Sequence, residues 1–168
     1  MIHLYTGAGK GKTTAAFGLA LRASGYGMRT FVGQFLKGKL YGEVKATKPS
    51  PLITVEQFGS EECLSKESVT EDDYNRARIG LQKCDMALQS SSYHMVIMDE
   101  VCVAVAFGLL DVDAVLNVVL RKPKPVELVL TGRYADNKLI AVANLVTEMR
   151  EAKHYYKEGL EARKGIEF

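Results

Sequence analysis

Lys12 and Thr13 stand near the end of a glycine-rich run, Thr6-Gly7-Ala8-Gly9-Lys10-Gly11-Lys12-Thr13-Thr14, which follows the apolar residues 2–5 and opens onto a helical pattern over residues 15–23. Three glycines let the backbone turn tightly and aim its N–H groups inward. Lys12 adds a positive charge, and Thr13 adds a hydroxyl suited to a magnesium ion. Together these types serve the capture of a polyphosphate, a nucleoside triphosphate first among the candidates. The context agrees, because a helix start leaves free N–H groups and a dipole that favours an anion. Gly7, Ala8, Gly9, Lys10, Gly11, Lys12, Thr13 and Thr14 are therefore expected to line the phosphate site. The spacing is unusual: three residues separate Gly7 from Gly11 where the common pattern has four, and the place of its first glycine falls to Thr6. The loop is either one residue short or opened by a threonine.

A second chemical signal ends the apolar stretch Met95-Val96-Ile97-Met98 with two adjacent acids, Asp99 and Glu100. In phosphate-loop proteins a strand beside the loop often delivers a carboxylate that holds magnesium, directly or through water. Thr13, Asp99 and Glu100 are thus the candidate metal ligands, and Lys12, Thr13 and Glu100 the candidate catalytic residues. Alternatively, one acid of the pair caps the helix expected over residues 100–107. Thr131-Gly132-Arg133 ends another apolar run in the same manner. Arg133 either clamps a phosphate or lies solvated in its loop, and the residue types leave both open.

These groups need a scaffold that brings several strand ends together. Apolar runs at residues 2–5, 29–35, 53–57, 95–98, 126–130 and 145–146 alternate with helical patterns at 12–24, 71–88, 112–121 and 137–143. This alternation predicts an α/β fold with a mainly parallel sheet flanked by helices, of the P-loop NTPase, RecA-like kind. Thr70 with Asp73 forms a capping-box signal, and Asp111 precedes an apolar-periodic stretch. Residues 37–51 read as a surface loop with one helical turn at 42–46, and residues 58–69 as a second irregular stretch.

With 168 residues, the chain is expected to form one domain over residues 1–168. A net charge of +2, with lysines scattered among acids, argues against a nucleic-acid partner. No apolar stretch is long enough to span a bilayer. A strand so close to Met1 leads us to expect no signal or transit peptide and a cytoplasmic setting. Cys63, Cys84 and Cys102 are odd in number and lack a Cys-x-x-Cys pair, so reduced thiols are expected rather than disulfides or structural zinc, with Cys102 as a small buried hydrophobe. His3 and His94 read as strand residues, His154 is unassigned, and Arg150, Lys153 and His154 read as a solvated basic face.

The run from Thr6 to Gly18 resembles the phosphate-loop family of cob(I)alamin (ATP:corrinoid) adenosyltransferases, as do Gln34-Phe-Leu-Lys-Gly38, Met98-Asp-Glu-Val101, Gly108-Leu-Leu-Asp-Val-Asp113, Glu127-Leu-Val-Leu-Thr-Gly-Arg133 and Ala162-Arg-Lys-Gly-Ile-Glu-Phe168. The shortened glycine pattern is a trait of that family. The resemblance implies that cobalt(I) of a corrinoid attacks the 5′ carbon of ATP and expels triphosphate, with Mg2+ on the phosphates. It further implies an electron-donating reductase or flavoprotein, a homodimer and ATP bound in reverse. Better-known members carry a phenylalanine and a tryptophan near residues 58–69. This chain has no tryptophan, which leaves Phe58 as the candidate corrinoid contact, and the N-terminal extension of longer members is expected to be absent. Without the resemblance, the residues also allow a RecA-like ATPase with Glu100 orienting water, a nucleoside kinase, or a non-catalytic ATP/corrinoid-binding module. The thymidine kinases with a similar start carry paired zinc cysteines, which this chain lacks.

Overall fold

The structure is a computed structural model that describes residues 1–61 and 65–168. Cys63 and the middle of the irregular stretch at 58–69 lie outside the described residues. Six parallel strands form one sheet: β1 (Ile2–Thr6), β2 (Thr30–Phe35), β3 (Ile53–Phe58), β4 (Met95–Asp99), β5 (Glu127–Thr131) and β6 (Leu145–Glu148), in the spatial order β3-β2-β4-β5-β1-β6. The connections carry α1 (Lys12–Ser24), α2 (Gly42–Thr47), α3 (Glu71–Gln89), α4 (Val101–Ala106), α5 (Val112–Leu120) and α6 (Asn137–Val142). This α/β arrangement is that of a P-loop NTPase.

Burial on both faces explains why the central strands are continuous apolar runs. Along β4 the period of two sends Met95 and Ile97 toward α1, where they meet Ala16, Phe17 and Ala20. Val96 and Met98 point the other way, into a second cluster built with Ala77, Cys84 and Leu88 of α3 and Val115 and Val118 of α5. The edge strand β6 breaks that pattern: among the described residues it pairs only with β1, and all four of its residues are exposed.

Local signals hold where backbone donors need partners. Thr70 accepts the Asp73 N–H at 3.4 Å while its own N–H donates to Asp73 Oδ2 at 2.9 Å. Asp111 Oδ1 accepts the amides of Asp113 and Ala114 at 2.7 and 3.2 Å. His94 lies one residue before β4; its N–H donates to Arg29 O and its carbonyl accepts the Glu127 N–H, both at 2.9 Å, while its ring Nδ1 accepts the Arg29 N–H at 3.0 Å. His154 Nδ1 accepts the Tyr156 N–H at 3.1 Å and so starts a short 3-10 turn at Tyr155–Glu158.

β4 is not the neighbour of β1, as a strand directly beside the loop strand would be. β5 lies between them, so the loop and the two acids converge across an intervening strand. All three strands run the same way, and their carboxyl ends therefore meet at one edge of the sheet, where α/β folds place their ligands.

Candidate phosphate and metal site

Thr6 is the last residue of β1, paired with Glu148, and Gly7 opens the turn with φ +97°. The loop proper is thus residues 7–11, and the threonine belongs to the strand. Gly11 ends the turn at φ +115°, and no side chain caps α1 there. The amides of Lys12, Thr13 and Thr14 are consequently left without intrahelical acceptors, as at any helix start, and no capping side chain competes for them. The Lys12 ammonium folds back over the loop and donates to Gly7 O at 2.8 Å and Gly9 O at 2.7 Å. Its burial lowers its affinity for a proton, although the nearby Glu100 charge opposes that effect.

Two members of the loop are engaged elsewhere. The Gly9 N–H donates to Met149 O at 2.7 Å, just beyond β6. A Cβ on Gly7 would lie 2.4 Å from that same carbonyl oxygen, so a glycine is required there by crowding as well as by φ. The Lys10 ammonium turns outward to Tyr155 Oη at 3.0 Å, Ile166 O at 2.9 Å and Glu167 Oε1 at 2.7 Å. Ala8 and Thr14 are exposed.

Asp99 is fully buried and accepts four hydrogen bonds. Thr13 Oγ1 and Thr131 Oγ1 donate to Oδ1 at 2.9 and 2.7 Å, and Gln34 Nε2 and Lys37 Nζ donate to Oδ2 at 3.0 and 2.8 Å. Burial would raise its pKa, but the Lys37 charge and these bonds hold it below the ordinary carboxylate value. Lys37 is held above the usual lysine value by the same carboxylate despite its own burial. Lys37 also donates to Thr13 Oγ1 at 3.0 Å, and Gln57 Nε2 donates to Gln34 Oε1 at 3.0 Å, fixing the glutamine's orientation.

Glu100 is the opposite case. It has φ +63°, a left-handed conformation that costs a non-glycine residue about 1–3 kcal/mol. Its N–H donates to Thr131 Oγ1 at 2.9 Å, while its carboxylate receives no hydrogen bond among the described residues and caps no helix. Burial, and then the Asp99 charge, push its pKa above the ordinary carboxyl value. The helix-capping alternative therefore fails for both acids: Asp99 is saturated by side chains, and Glu100 is left free.

No group of three or more His, Cys, Asp or Glu among the described residues is arranged to hold a metal by itself. Magnesium does not need one, since it keeps waters and takes phosphate oxygens beside one or two carboxylates. Thr13, Asp99 and Glu100 fit that requirement, and a cation, the Lys37 ammonium, already lies between Thr13 and Asp99. Arg133 follows β5 and is exposed, with no hydrogen bond or ion pair among the described residues. Its charge reaches Lys12 and Glu100 through space. Phe58 is 9% exposed and packs on Phe35 at 6.1 Å between ring centres, beneath α3, so its ring belongs to the core. Residue types alone assigned no role to Gln34, Lys37, Thr131 or Met149. The signal for Gln34 and Thr131 is their polarity within otherwise apolar buried strands. A groove of about 490 Å³ between α3 and the segment 108–118 contains none of these residues.

The whole chain, residues 1–168, matches the family model described as ATP:corrinoid adenosyltransferase BtuR/CobO/CobP. It is 33% identical over 169 residues to a corrinoid adenosyltransferase of Pseudomonas aeruginosa, covering 100% of this chain and 83% of that protein. It is 34% identical over 175 residues to a corrinoid adenosyltransferase of Escherichia coli, covering 100% and 85%. An uncharacterised protein of Nostoc sp. is 33% identical over 180 residues, covering 99% of this chain and 48% of its own length, so the chain spans about half of that relative. By this match over its full length, and with a phosphate loop and paired acids at one sheet edge, the chain belongs to the ATP:corrinoid adenosyltransferase family.

Proposed function

We propose that this chain transfers the 5′-deoxyadenosyl group of ATP to the cobalt(I) of a corrinoid and releases inorganic triphosphate. The reading is carried by one observation: an uncapped, glycine-opened helix start sits next to the Thr13–Asp99–Glu100 oxygens. That juxtaposition suits a leaving group consisting of a whole phosphate chain. In the reaction cobalt supplies the electron pair for the new cobalt–carbon bond, and the pair of the C5′–O bond leaves on the triphosphate. The nucleophile carries no proton, so no side chain has to serve as a general base.

The work left to the protein is positioning and charge stabilisation. The amides at the start of α1, together with Lys12, would receive the phosphates, and Arg133 is close enough to add its charge from the end of β5. Thr13, with Asp99 and Glu100, would hold magnesium, directly or through water. Magnesium, when bound, offsets charge growing on the departing chain. The same reading brings with it an electron-donating reductase or flavoprotein, a homodimer, one domain over residues 1–168 and a cytoplasmic setting. Among the described residues, no helix is long and apolar enough to cross a membrane.

The test is to incubate the protein with ATP, Mg2+ and chemically reduced cobalamin, following the cobalt(I) absorbance and the phosphate products. The expected result is loss of that absorbance with one triphosphate per cobalamin consumed. Release of ADP without a corrinoid would establish phosphoryl transfer instead.

A further inference from the structure

Lys37 carries a full charge into the middle of the candidate metal site. Its ammonium is 3.0 Å from Thr13 Oγ1, 2.8 Å from Asp99 Oδ2 and 3.9 Å from Glu43 Oε1, and its side chain is 17% exposed. Hydroxyl and carboxylate oxygens from the loop helix and from β4 are the donors expected around a small, hard cation. A buried aspartate with no cation beside it would be strongly destabilising, so something positive has to occupy this position in the absence of a metal.

We propose that Lys37 is a tethered counter-cation that occupies the metal position between Thr13 and Asp99 in the nucleotide-free protein, and that a divalent ion enters by replacing it. The inference rests on reading this edge as a magnesium–nucleotide site, and it adds an order of events. A bare divalent ion must displace an ammonium whose other nearby carboxylates are Glu43, at 3.9 Å, and Glu100, itself a candidate ligand of the incoming ion. An ion arriving with a polyphosphate brings the displaced ammonium a new anionic partner. Lys37 therefore biases the site against free metal and in favour of the metal–nucleotide pair. An ordinary buried ion pair would stabilise the fold without influencing metal binding, and this difference makes the proposal testable.

The experiment uses the full chain with Mn2+ alone, without ATP or corrinoid, so its outcome is independent of which reaction the protein catalyses. Mn2+ binding is titrated by electron paramagnetic resonance in the wild type and in Lys37→Met, and thermal denaturation is recorded in EDTA and in Mn2+. Lys37→Met is expected to bind Mn2+ about tenfold more tightly or better, since an opposing unit charge a few ångströms away has been removed. Its melting temperature should fall in EDTA and recover in Mn2+, while that of the wild type stays put. Lys37→Met combined with Asp99→Asn removes both charges, and should regain stability in EDTA and lose the response to Mn2+. If the single variant folds only with Mn2+ present, the proposal is upheld. Equal Mn2+ affinity in wild type and variant, or a destabilisation that Mn2+ does not reverse, overturns it.

Discussion

The backbone amide of Gly9 donates to the carbonyl of Met149 at 2.7 Å, which stitches the phosphate loop to the chain leaving β6. The Met149 N–H in turn donates to Thr6 O at 2.8 Å, so the β1–β6 ladder continues one step into the loop. One of the three loop glycines thus spends its donor on the fold and not on a ligand.

Gly9→Ala tests that stitch. Its Cβ would lie 2.7 Å from Met149 O and 2.9 Å from Met149 C, both backbone atoms that cannot swing aside. The expected cost is about 1–3 kcal/mol, the range for forcing extra atoms into a packed site. Urea unfolding should register it as an earlier midpoint, and calorimetry should show weaker ATP binding. An unchanged midpoint together with unchanged ATP affinity would mean that the contact is dispensable.

Glu100→Gln is expected to stabilise the nucleotide-free protein and to disable it. Burial and Asp99 raise the folded-state pKa of Glu100, so the folded protein binds its proton more tightly than the unfolded chain does. Stability attributable to this group therefore falls as pH rises from the unfolded value, about 4.3, through the raised folded value. At neutral pH the protein bears the full cost of the buried charge. Replacing it with glutamine should raise stability near pH 7 by on the order of 1 kcal/mol and flatten this part of the pH profile, while product formation drops at least ~tenfold. Unfolding curves from acidic to neutral pH, combined with the absorbance assay, decide both halves.

Glu167→Ala should release the segment 155–168 and leave the sheet intact. Glu167 accepts from Lys10, from Arg163 Nη2 at 3.3 Å and from Tyr155 Oη, while Phe168 stacks near Tyr41 at 6.2 Å. Its carboxyl is held well below the usual range by the Arg163, Lys10 and Tyr155 hydrogen bonds. Hydrogen–deuterium exchange is the appropriate readout. Faster exchange confined to 155–168 and to the loop around Lys10 is expected, and unaltered exchange there would show that the carboxylate does not hold the segment down.

Cys84 and Cys102 should be silent in the native protein. Both are fully buried, and burial pushes the Cys102 thiol up to about 12, and the Cys84 thiol also far above its ordinary value. Iodoacetamide at about pH 8 should leave both peptides unmodified until urea is added. Labelling of either one under native conditions, read by mass spectrometry, would require an opening of the core that the packing against α3 and α4 does not provide.

Strand and helix positions were legible because each rests on a local rule. The continuous apolar run Met95–Met98, the Thr70–Asp73 box and the Asp111 cap are each read from a few adjacent residues. The phosphate loop was legible for the same reason, since glycine conformation and helix-start polarity are properties of adjacent residues. Phe58 was named as a corrinoid contact from the family resemblance alone; it is the last residue of β3, and its side chain is buried under α3.

By itself the sequence determined the class of fold, the place of the glycine-rich turn at the start of a helix and the presence of two acids at a strand end. Only the tertiary structure decided which acid is satisfied and which is free, because the four partners of Asp99 come from the start of α1, the end of β2 with the loop after it, and the end of β5, which are far apart along the chain. It alone inserted β5 between the loop and the acids, brought Lys37 onto Thr13 and Asp99, and turned the Gly9 amide toward Met149. Local periodicity specifies elements, whereas strand order and register bring distant polar groups within hydrogen-bonding distance, and the chemistry of this site depends on those distances.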